Sequence, residues 1–118
     1  MGYSSQVEIT SFLTQYKFFM STSGGFYFIE RPVNMKSLAE LGLTIEQVGE
    51  VICQLTYVDY TAGPETDIDY PSHNIWTFGY DIAETEVYIK LSDNFTFGIA
   101  KCLSFHTSEY PMTYPYKD

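Results

Sequence analysis

Two alternating runs of apolar and polar side chains constrain the fold of this 118-residue chain more than any other feature. The runs are Glu86–Leu91 and Ile99–His106. Strict alternation is typical of a β-strand, because successive side chains point to opposite faces of a sheet. In the first run Val87, Ile89 and Leu91 therefore share an apolar face.

The second run divides its side chains in the same way. One face is predicted to carry Ile99, Leu103 and Phe105, interrupted by Lys101, and the opposite face to carry Ala100, Cys102, Ser104 and His106. A slip of one residue would turn a whole face over, so paired strands should align their apolar faces. Four polar side chains are then expected on one surface: Tyr88, Lys90, Ser104 and His106.

The loop between the two runs decides their register. A two-residue loop at Asp93-Asn94 would set Tyr88 across from Ile99 and mix the faces. A longer loop that continues through Phe97-Gly98 keeps the faces apart. The longer loop is therefore predicted, with Tyr88 near Ser104 and Lys90 near Cys102.

The rest of the chain predicts one α+β domain over residues 1–118. A third alternating run, Ile75–Ile82, precedes a hairpin turn at Ala83–Thr85, so the three runs should form an antiparallel β-meander. A short strand is predicted at Phe26–Ile29. Helices that cover one face of the sheet are predicted from Ser4 or Ser5 to about Tyr16, at Met35–Leu41 after a cap at Asn34, and from Ile45 to about Leu55 after a Thr44–Gln47 capping box. The first helix should bury Val7, Phe12, Leu13 and Tyr16, with Ile9 near the edge of that face.

Two segments outside these elements leave alternatives open. The stretch Thr61–Asn74 is predicted to be a loop, and its acids Glu65, Asp67 and Asp69 form either a hard-cation site or a solvated turn. Their spacing fits no EF-hand, so the solvated turn is preferred, with no metal and with His73 at the surface. The tail of residues 107–118 is rich in Pro and Tyr and either clasps the sheet edge or stacks unpaired bases.

Composition limits the classes of partner. The net charge is −9 with only 6 Lys and Arg residues, which argues against broad neutralisation of nucleic-acid phosphates and suits a basic protein partner. No apolar run approaches the roughly 20 residues that span a bilayer, and the first residues lack the pattern of a signal peptide. A cytoplasmic protein without membrane contact is expected. Cys53 and Cys102 are far apart in sequence, which favours two free thiols.

Six short blocks of sequence, taken in order, carry a resemblance to a known family. The blocks are Glu40-Leu-Gly-Leu43, Leu55-Thr-x-x-Asp59-Tyr60, Gly63-Pro64-Glu65-x-Asp67-x-Asp69, Trp76-x-Phe78-Gly79, Val87-Tyr-Ile-Lys90 and Cys102-Leu-Ser-Phe-His106-x-x-Glu109-Tyr110-Pro111. Together they resemble the MqsR-like toxins of bacterial type II toxin–antitoxin systems, and the third, fourth and sixth blocks resemble one branch of that family. The resemblance covers about Leu38 to Tyr116, and residues 1–33 match little.

The resemblance implies a RelE-like fold and a metal-independent endoribonuclease that cuts single-stranded mRNA and is neutralised by a cognate antitoxin. No cofactor and no direct contact with DNA are implied. The matching active-site positions are Tyr88 and the adjoining Lys90. The chain departs from the better-known members at three positions, where Ala62, Thr77 and His106 replace Lys, Gln and Lys.

The chemistry of RNA cleavage gives these residues roles of their own. Attack of a 2′-hydroxyl on its phosphate needs a base, an acid and a cation. An imidazole can serve as acid or base near neutral pH, so His106 is the predicted proton-transfer group. Lys90 would stabilise charge on the phosphate, and Tyr88 would orient the phosphate or stack a base. Glu109 would orient His106 or be solvated, and RNA contacts are predicted at Thr77, Lys101, Ser104 and Tyr110.

A second hypothesis comes from a different class of protein. Each of these residue types, taken singly on a strand, is more often structural than catalytic. The net charge of −9 and the departures at Ala62 and Thr77 also fit an acidic, non-catalytic protein on the same scaffold. Such a protein would mimic nucleic acid and inhibit a basic nuclease or repressor.

Overall fold

A computed structural model describes residues 2–22 and 24–117 of the chain. Within those residues the fold is α+β, as predicted, with three helices and a five-stranded sheet. The helices are α1 Gln6–Met20, α2 Pro32–Leu41 and α3 Ile45–Gln54. The strands are β1 Phe26–Phe28, β2 Tyr60–Thr66, β3 Asn74–Ile82, β4 Thr85–Ser92 and β5 Ala100–Thr107.

The strands lie in the order β1-β5-β4-β3-β2. The predicted antiparallel meander is confirmed as β3, β4 and β5, and β2 extends it antiparallel to β3. The short β1 pairs in parallel with β5, so the sheet is mixed. The prediction of a loop over Thr61–Asn74 is wrong, because β2 occupies its first half. Pro64 is compatible with a strand because β2 is an edge strand, and the β2–β3 register shifts on both sides of Ala62.

The helix starts follow their capping signals with one exception. Ser5 caps α1 in a capping box with Glu8, and the predicted box of Thr44 and Gln47 opens α3. The predicted cap at Asn34 is wrong, because α2 begins at Pro32, a residue well suited to the first helical turn. Asn34 lies inside α2 and is fully buried.

All three helices pack on one face of the sheet, as predicted. The α1 prediction is wrong at two positions, since Val7 is 75% exposed and Ile9 is fully buried. Ile9 lies three and four residues before Phe12 and Leu13, on the same face of the helix, whereas the spacing of Val7 places it off that face. The core between helices and sheet includes Ile9, Phe12, Leu13, Tyr16, Leu38, Val48, Ile52, Trp76, Phe78, Val87, Ile89, Leu91, Ala100, Cys102 and Phe105.

The register between β4 and β5 differs from the prediction by two residues. Strands β4 and β5 are joined by the long connection that the sequence favoured, and Tyr88 pairs with His106 while Lys90 pairs with Ser104. The predicted partners, Ser104 for Tyr88 and Cys102 for Lys90, are wrong. Because the error is an even number of residues, Tyr88, Lys90, Ser104 and His106 keep their predicted side of the sheet.

A β-bulge in β5 changes which residues share a face. Lys90 pairs with Ser104 and Leu91 pairs with Cys102, so Leu103 is the extra residue. Before the bulge Cys102 points into the core, and after the bulge Phe105 does. The predicted single alternation along Ile99–His106 is therefore wrong before Ser104, since Ala100 also faces the core.

Candidate functional site

The face of the sheet that points away from the helices, termed the open face, carries the polar side chains of β4. Val87, Ile89 and Leu91 are fully buried in the core, so Tyr88 and Lys90, which alternate with them, lie on the open face. Strand pairing sets their neighbours. Tyr88 lies between Gly79 of β3 and His106 of β5, and Lys90 lies between Thr77 and Ser104.

Tyr88, Lys90 and His106 form one group, termed the strand cluster. The ring centroids of Tyr88 and His106 are 5.2 Å apart. The Lys90 ammonium lies 5.4 Å from the centroid of the Tyr88 ring, within the range of a cation–π contact. All three side chains are partly exposed. A hydroxyl, an ammonium and an imidazole are thus available to one ligand on the open face.

A buried side chain of α2 fixes the bulge that aims His106. The Asn34 amide nitrogen donates to the carbonyl oxygens of Ile29 at 2.9 Å and Leu103 at 3.0 Å. Its amide oxygen accepts from the backbone N–H of Phe105 at 3.2 Å. These bonds satisfy backbone groups on both sides of Ser104 that have no strand partner, because β1 pairs with β5 only as far as Cys102. Asn34 therefore holds the edge of β5 next to the bulge, just before β5 reaches His106.

The backbone orients the imidazole of His106. Its Nδ1–H donates to the carbonyl oxygen of Thr107 at 3.1 Å, which leaves Nε2 with the free lone pair. No described residue forms an ion pair with His106. The predicted orienting role of Glu109 is thus filled by Thr107. Glu109 is exposed and lines the same cavity as His106.

A cavity of about 350 Å³ opens beside the strand cluster. Tyr88 and His106 form its floor. The tail forms its wall, with Ser108, Glu109, Tyr110, Pro111 and Met112. The tail therefore crosses the open face and builds part of the candidate site. Of its two predicted roles, it fulfils a packing role, but over the face of the sheet and not along the edge.

Glu86 anchors this wall. Its carboxylate accepts a hydrogen bond from the backbone N–H of Met112 at 3.1 Å and from the Tyr114 hydroxyl at 2.7 Å. Burial, followed by the hydrogen bond and the charge of Glu86, raises the pKa of the Tyr114 phenol well above its ordinary value of 10.0. Gly79 makes room for the crossing, because a Cβ there would lie 2.9 Å from the Met112 sulfur and closer still to Tyr114.

The predicted RNA-contacting residues are spread over the open face. Thr77 and Ser104 flank Lys90 but are buried, with exposed fractions of 4% and 6%. Tyr110 stands at the cavity wall with 78% of its surface exposed. Lys101 is further along β5, where its ammonium lies 5.2 Å from the centroid of the Tyr70 ring. Of the predicted catalytic and RNA-contacting residues, Tyr88, His106 and Tyr110 line the cavity, and Lys90 does not.

Several residues that shape the site are not marked by any local sequence pattern as part of the site. Asn34, Gly79, Glu86 and Tyr114 act through partners between 26 and 71 positions away, apart from the nearby Ile29 contact. For Glu86, the alternation of side chains along β4 is such a pattern. Alternation places Glu86 on the same face as Tyr88 and Lys90, which marks a carboxylate beside the site.

The described residues hold no group of three or more His, Cys, Asp and Glu side chains that could bind a metal ion. Asp67 is 5% exposed, and its carboxylate accepts the backbone N–H of Asp69. Both cysteines are free thiols, and burial raises the pKa of Cys102. None of the helices within residues 2–22 and 24–117 has the length and apolar character needed to span a bilayer.

No family model matches the chain, and neither a curated protein nor a solved structure matches it. The resemblance to the MqsR-like toxins therefore stays a prediction that rests on the sequence blocks alone.

Proposed function

We propose that this protein is a metal-independent endoribonuclease that cleaves single-stranded mRNA, acting as the toxin of a type II toxin–antitoxin system. One observation carries the proposal. Tyr88 and His106 are cross-strand neighbours with rings 5.2 Å apart, Lys90 lies beside them, and a cavity of about 350 Å³ opens over the pair. The site therefore places an imidazole and a phenol in the cavity, with an ammonium beside the phenol on the same face of the sheet.

The cleavage step uses the free lone pair of His106. Nε2 takes the proton of a ribose 2′-hydroxyl, and the 2′-oxygen forms a bond to the adjacent phosphorus. The bond from phosphorus to the 5′-oxygen breaks, and that oxygen takes a proton from solvent water. The products are a 2′,3′-cyclic phosphate and a 5′-hydroxyl end. Lys90 stabilises the charge that develops on the phosphate oxygens.

The net charge of −9 does not exclude an RNA substrate. Two of the six Lys and Arg residues, Lys90 and Lys101, lie on the open face, and neither forms an ion pair with a described residue. A local concentration of cations in a cleft can attract a polyanion to an acidic protein. The acidic remainder of the surface suits a basic antitoxin, which would act on the toxin in the cytoplasm.

The direct test is cleavage of a single-stranded RNA by purified protein with a metal chelator present. We expect cleavage with 2′,3′-cyclic phosphate ends and no cleavage of the DNA of the same sequence, because DNA lacks the 2′-hydroxyl. His106→Ala should lower the rate about 100-fold or more. Lys90→Ala should also lower it, while Lys36→Ala, at an exposed lysine paired with Glu40, serves as the matched control.

Three results would reject the proposal: no cleavage by the unaltered protein, a requirement for metal, or full activity of His106→Ala. Induced expression in bacteria tests the toxin role, since growth should stop with loss of mRNA and recover when the cognate antitoxin is expressed. The acidic inhibitor remains the second candidate because of the net charge of −9. It predicts salt-sensitive binding to a basic protein without RNA cleavage.

A further inference from the structure

The open face carries a second group of the same three residue types, termed the loop cluster. It consists of Tyr70 and His73, from the connection between β2 and β3, and Lys101 of β5. The rings of Tyr70 and His73 stack with centroids 5.6 Å apart and planes inclined by 22°. The Lys101 ammonium lies 5.2 Å from the centroid of the Tyr70 ring. The cluster thus brings the β2–β3 connection into contact with β5, although the two are distant in sequence.

The loop cluster lies on the same side of the sheet as the strand cluster. Ala100 and Cys102 point into the core, so Lys101 between them points to the open face. Lys90 pairs with Ser104 and Leu91 with Cys102, so Lys101 lies about two strand positions beyond Lys90, which is roughly 7 Å along the sheet. An extended ligand lying along β4 and β5 would meet His106, then Lys90, then Lys101.

Backbone hydrogen bonds hold the loop in a defined shape. The N–H of Asp67 donates to the carbonyl oxygen of His73 at 3.0 Å, and the N–H of His73 donates to that of Tyr70 at 2.8 Å. Asp67 is buried and its carboxylate accepts the N–H of Asp69. Tyr70 is nevertheless 54% exposed. The loop therefore presents a fixed aromatic ring to solvent.

Two polar groups of the loop cluster have no partner within the described residues. The Lys101 ammonium forms no ion pair there, although the chain has 15 Asp and Glu residues. The buried Nδ1 of His73 has no hydrogen-bond partner there. An exposed aromatic ring beside an uncompensated cation is the combination that binds single-stranded nucleic acid by stacking and charge.

We propose that the loop cluster is a second nucleotide-binding subsite for the RNA cleaved at the strand cluster. The base of a flanking nucleotide stacks on Tyr70, its phosphate lies against Lys101, and His73 is a positioning residue that holds the Tyr70 ring. The inference rests on the proposed function and adds that the substrate must extend beyond the two nucleotides of the cleaved bond.

The charges around the loop determine how much base stacking and electrostatic attraction each contribute to RNA binding. Glu65 and Asp69 are exposed carboxylates on the same segment, so they oppose the attraction of Lys101 for phosphate. Stacking does not depend on their charge. Tyr70→Ala should therefore weaken RNA binding on the order of tenfold, and Lys101→Met should weaken it less.

The test compares cleavage of a dinucleotide with cleavage of a longer single-stranded oligonucleotide. Tyr70→Ala should lower kcat/KM for the oligonucleotide on the order of tenfold, through KM, and should affect the dinucleotide much less, because the dinucleotide lacks the flanking nucleotide that occupies the subsite. Tyr3→Ala is the matched control, since Tyr3 is 53% exposed and lies in the N-terminal segment before α1. Equal kinetics of Tyr70→Ala and the unaltered protein on the oligonucleotide would overturn the subsite.

Failure of the proposed function gives a different result. The unaltered protein would then cleave neither substrate, and the subsite would be judged by fluorescence anisotropy with the same labelled oligonucleotide. Weaker binding by Tyr70→Ala than by Tyr3→Ala would support the subsite. Equal binding by the two variants, or no binding by the unaltered protein, would overturn it. Thermal unfolding of each variant shows whether the substitution has disturbed the fold.

Discussion

The strand cluster and the loop cluster contain the same three residue types but are assembled in different ways. Tyr88, Lys90 and His106 come from two paired strands, and the register of one ladder brings them together. The residues Tyr70 and His73 come from a connection that folds over the sheet to reach Lys101. The first arrangement depends on strand pairing and a bulge, and the second depends on the shape of a loop.

This difference separates chemistry from binding. Two residues of the strand cluster, Tyr88 and His106, line the cavity of about 350 Å³, and no residue of the loop cluster does. A backbone hydrogen bond sets which nitrogen of the His106 imidazole is free. The imidazole of the loop cluster stacks on a tyrosine, and its Nδ1 is buried. We therefore expect proton transfer at the first cluster and nucleotide recognition at the second.

The two histidines give the largest expected contrast. His106→Ala should lower kcat by about 10² to 10⁴-fold, because it removes the proton-transfer group. His73→Ala should act mainly on KM, since it frees the Tyr70 ring without touching the reacting atoms. Single-turnover and steady-state kinetics on one oligonucleotide separate the two effects. A loss of kcat in His73→Ala equal to that in His106→Ala would end the distinction between the clusters.

Loss of the Asn34 hydrogen bonds beside the bulge should lower the free energy of unfolding more than loss of the single Ser37 hydrogen bond to β5. Asn34→Ala leaves buried backbone groups of β5 without partners and should lower the free energy of unfolding by about 2–4 kcal/mol. Ser37→Ala removes one bond, to the N–H of Thr107, and should cost about 1 kcal/mol. Denaturant unfolding measures both variants. Equal losses would mean that Asn34 has no special role at the bulge.

Loss of the tail anchor should have a smaller effect. Glu86→Ala removes the acceptor for Met112 and Tyr114, so the tail should detach and chymotrypsin should cut faster after Tyr116, the tail tyrosine that is not followed by proline. Cleavage of RNA should fall less than tenfold, because the strand cluster stays in place. Glu86→Gln keeps one acceptor oxygen, so its rate of proteolysis should lie between those of the unaltered protein and Glu86→Ala. Unchanged proteolysis in Glu86→Ala would show that other contacts hold the tail.

Alkaline pH should release the tail without any mutation. The folded-state pKa of Tyr114 is raised above the ordinary value of 10.0, so its contribution to stability is complete below pH 10.0 and is lost as the pH rises further. The same proteolysis assay, run on a series of pH values, should show faster cutting on the alkaline side. Tyr114→Phe cannot ionise, so its cutting rate should lack this alkaline step.

Alternation was sufficient to predict the open face of β4 and the meander. Val87, Ile89 and Leu91 are all fully buried, and Tyr88 and His106 meet as the shared face requires. Alternation is a local property, so it survives an error in register by an even number of residues. The positions of Lys90 and His106 on one face were therefore predictable without the correct strand partners.

The bulge and the loop cluster were not predictable in this way. The backbone beside the bulge is bound by Asn34, whose partners Leu103 and Phe105 lie about 70 positions further along the chain. Gly63-Pro64 is typical of a loop, and only the sheet context shows that β2 is an edge strand there. The loop cluster therefore could not be assembled from local patterns, since its shape depends on tertiary contacts.

The wall of the cavity, residues 108–112, follows every strand in the order of synthesis. The strand ladder that pairs Tyr88 with His106 is thus built from a different part of the chain than the wall. A substitution within residues 108–112 can therefore reshape the cavity without altering how the two rings pair.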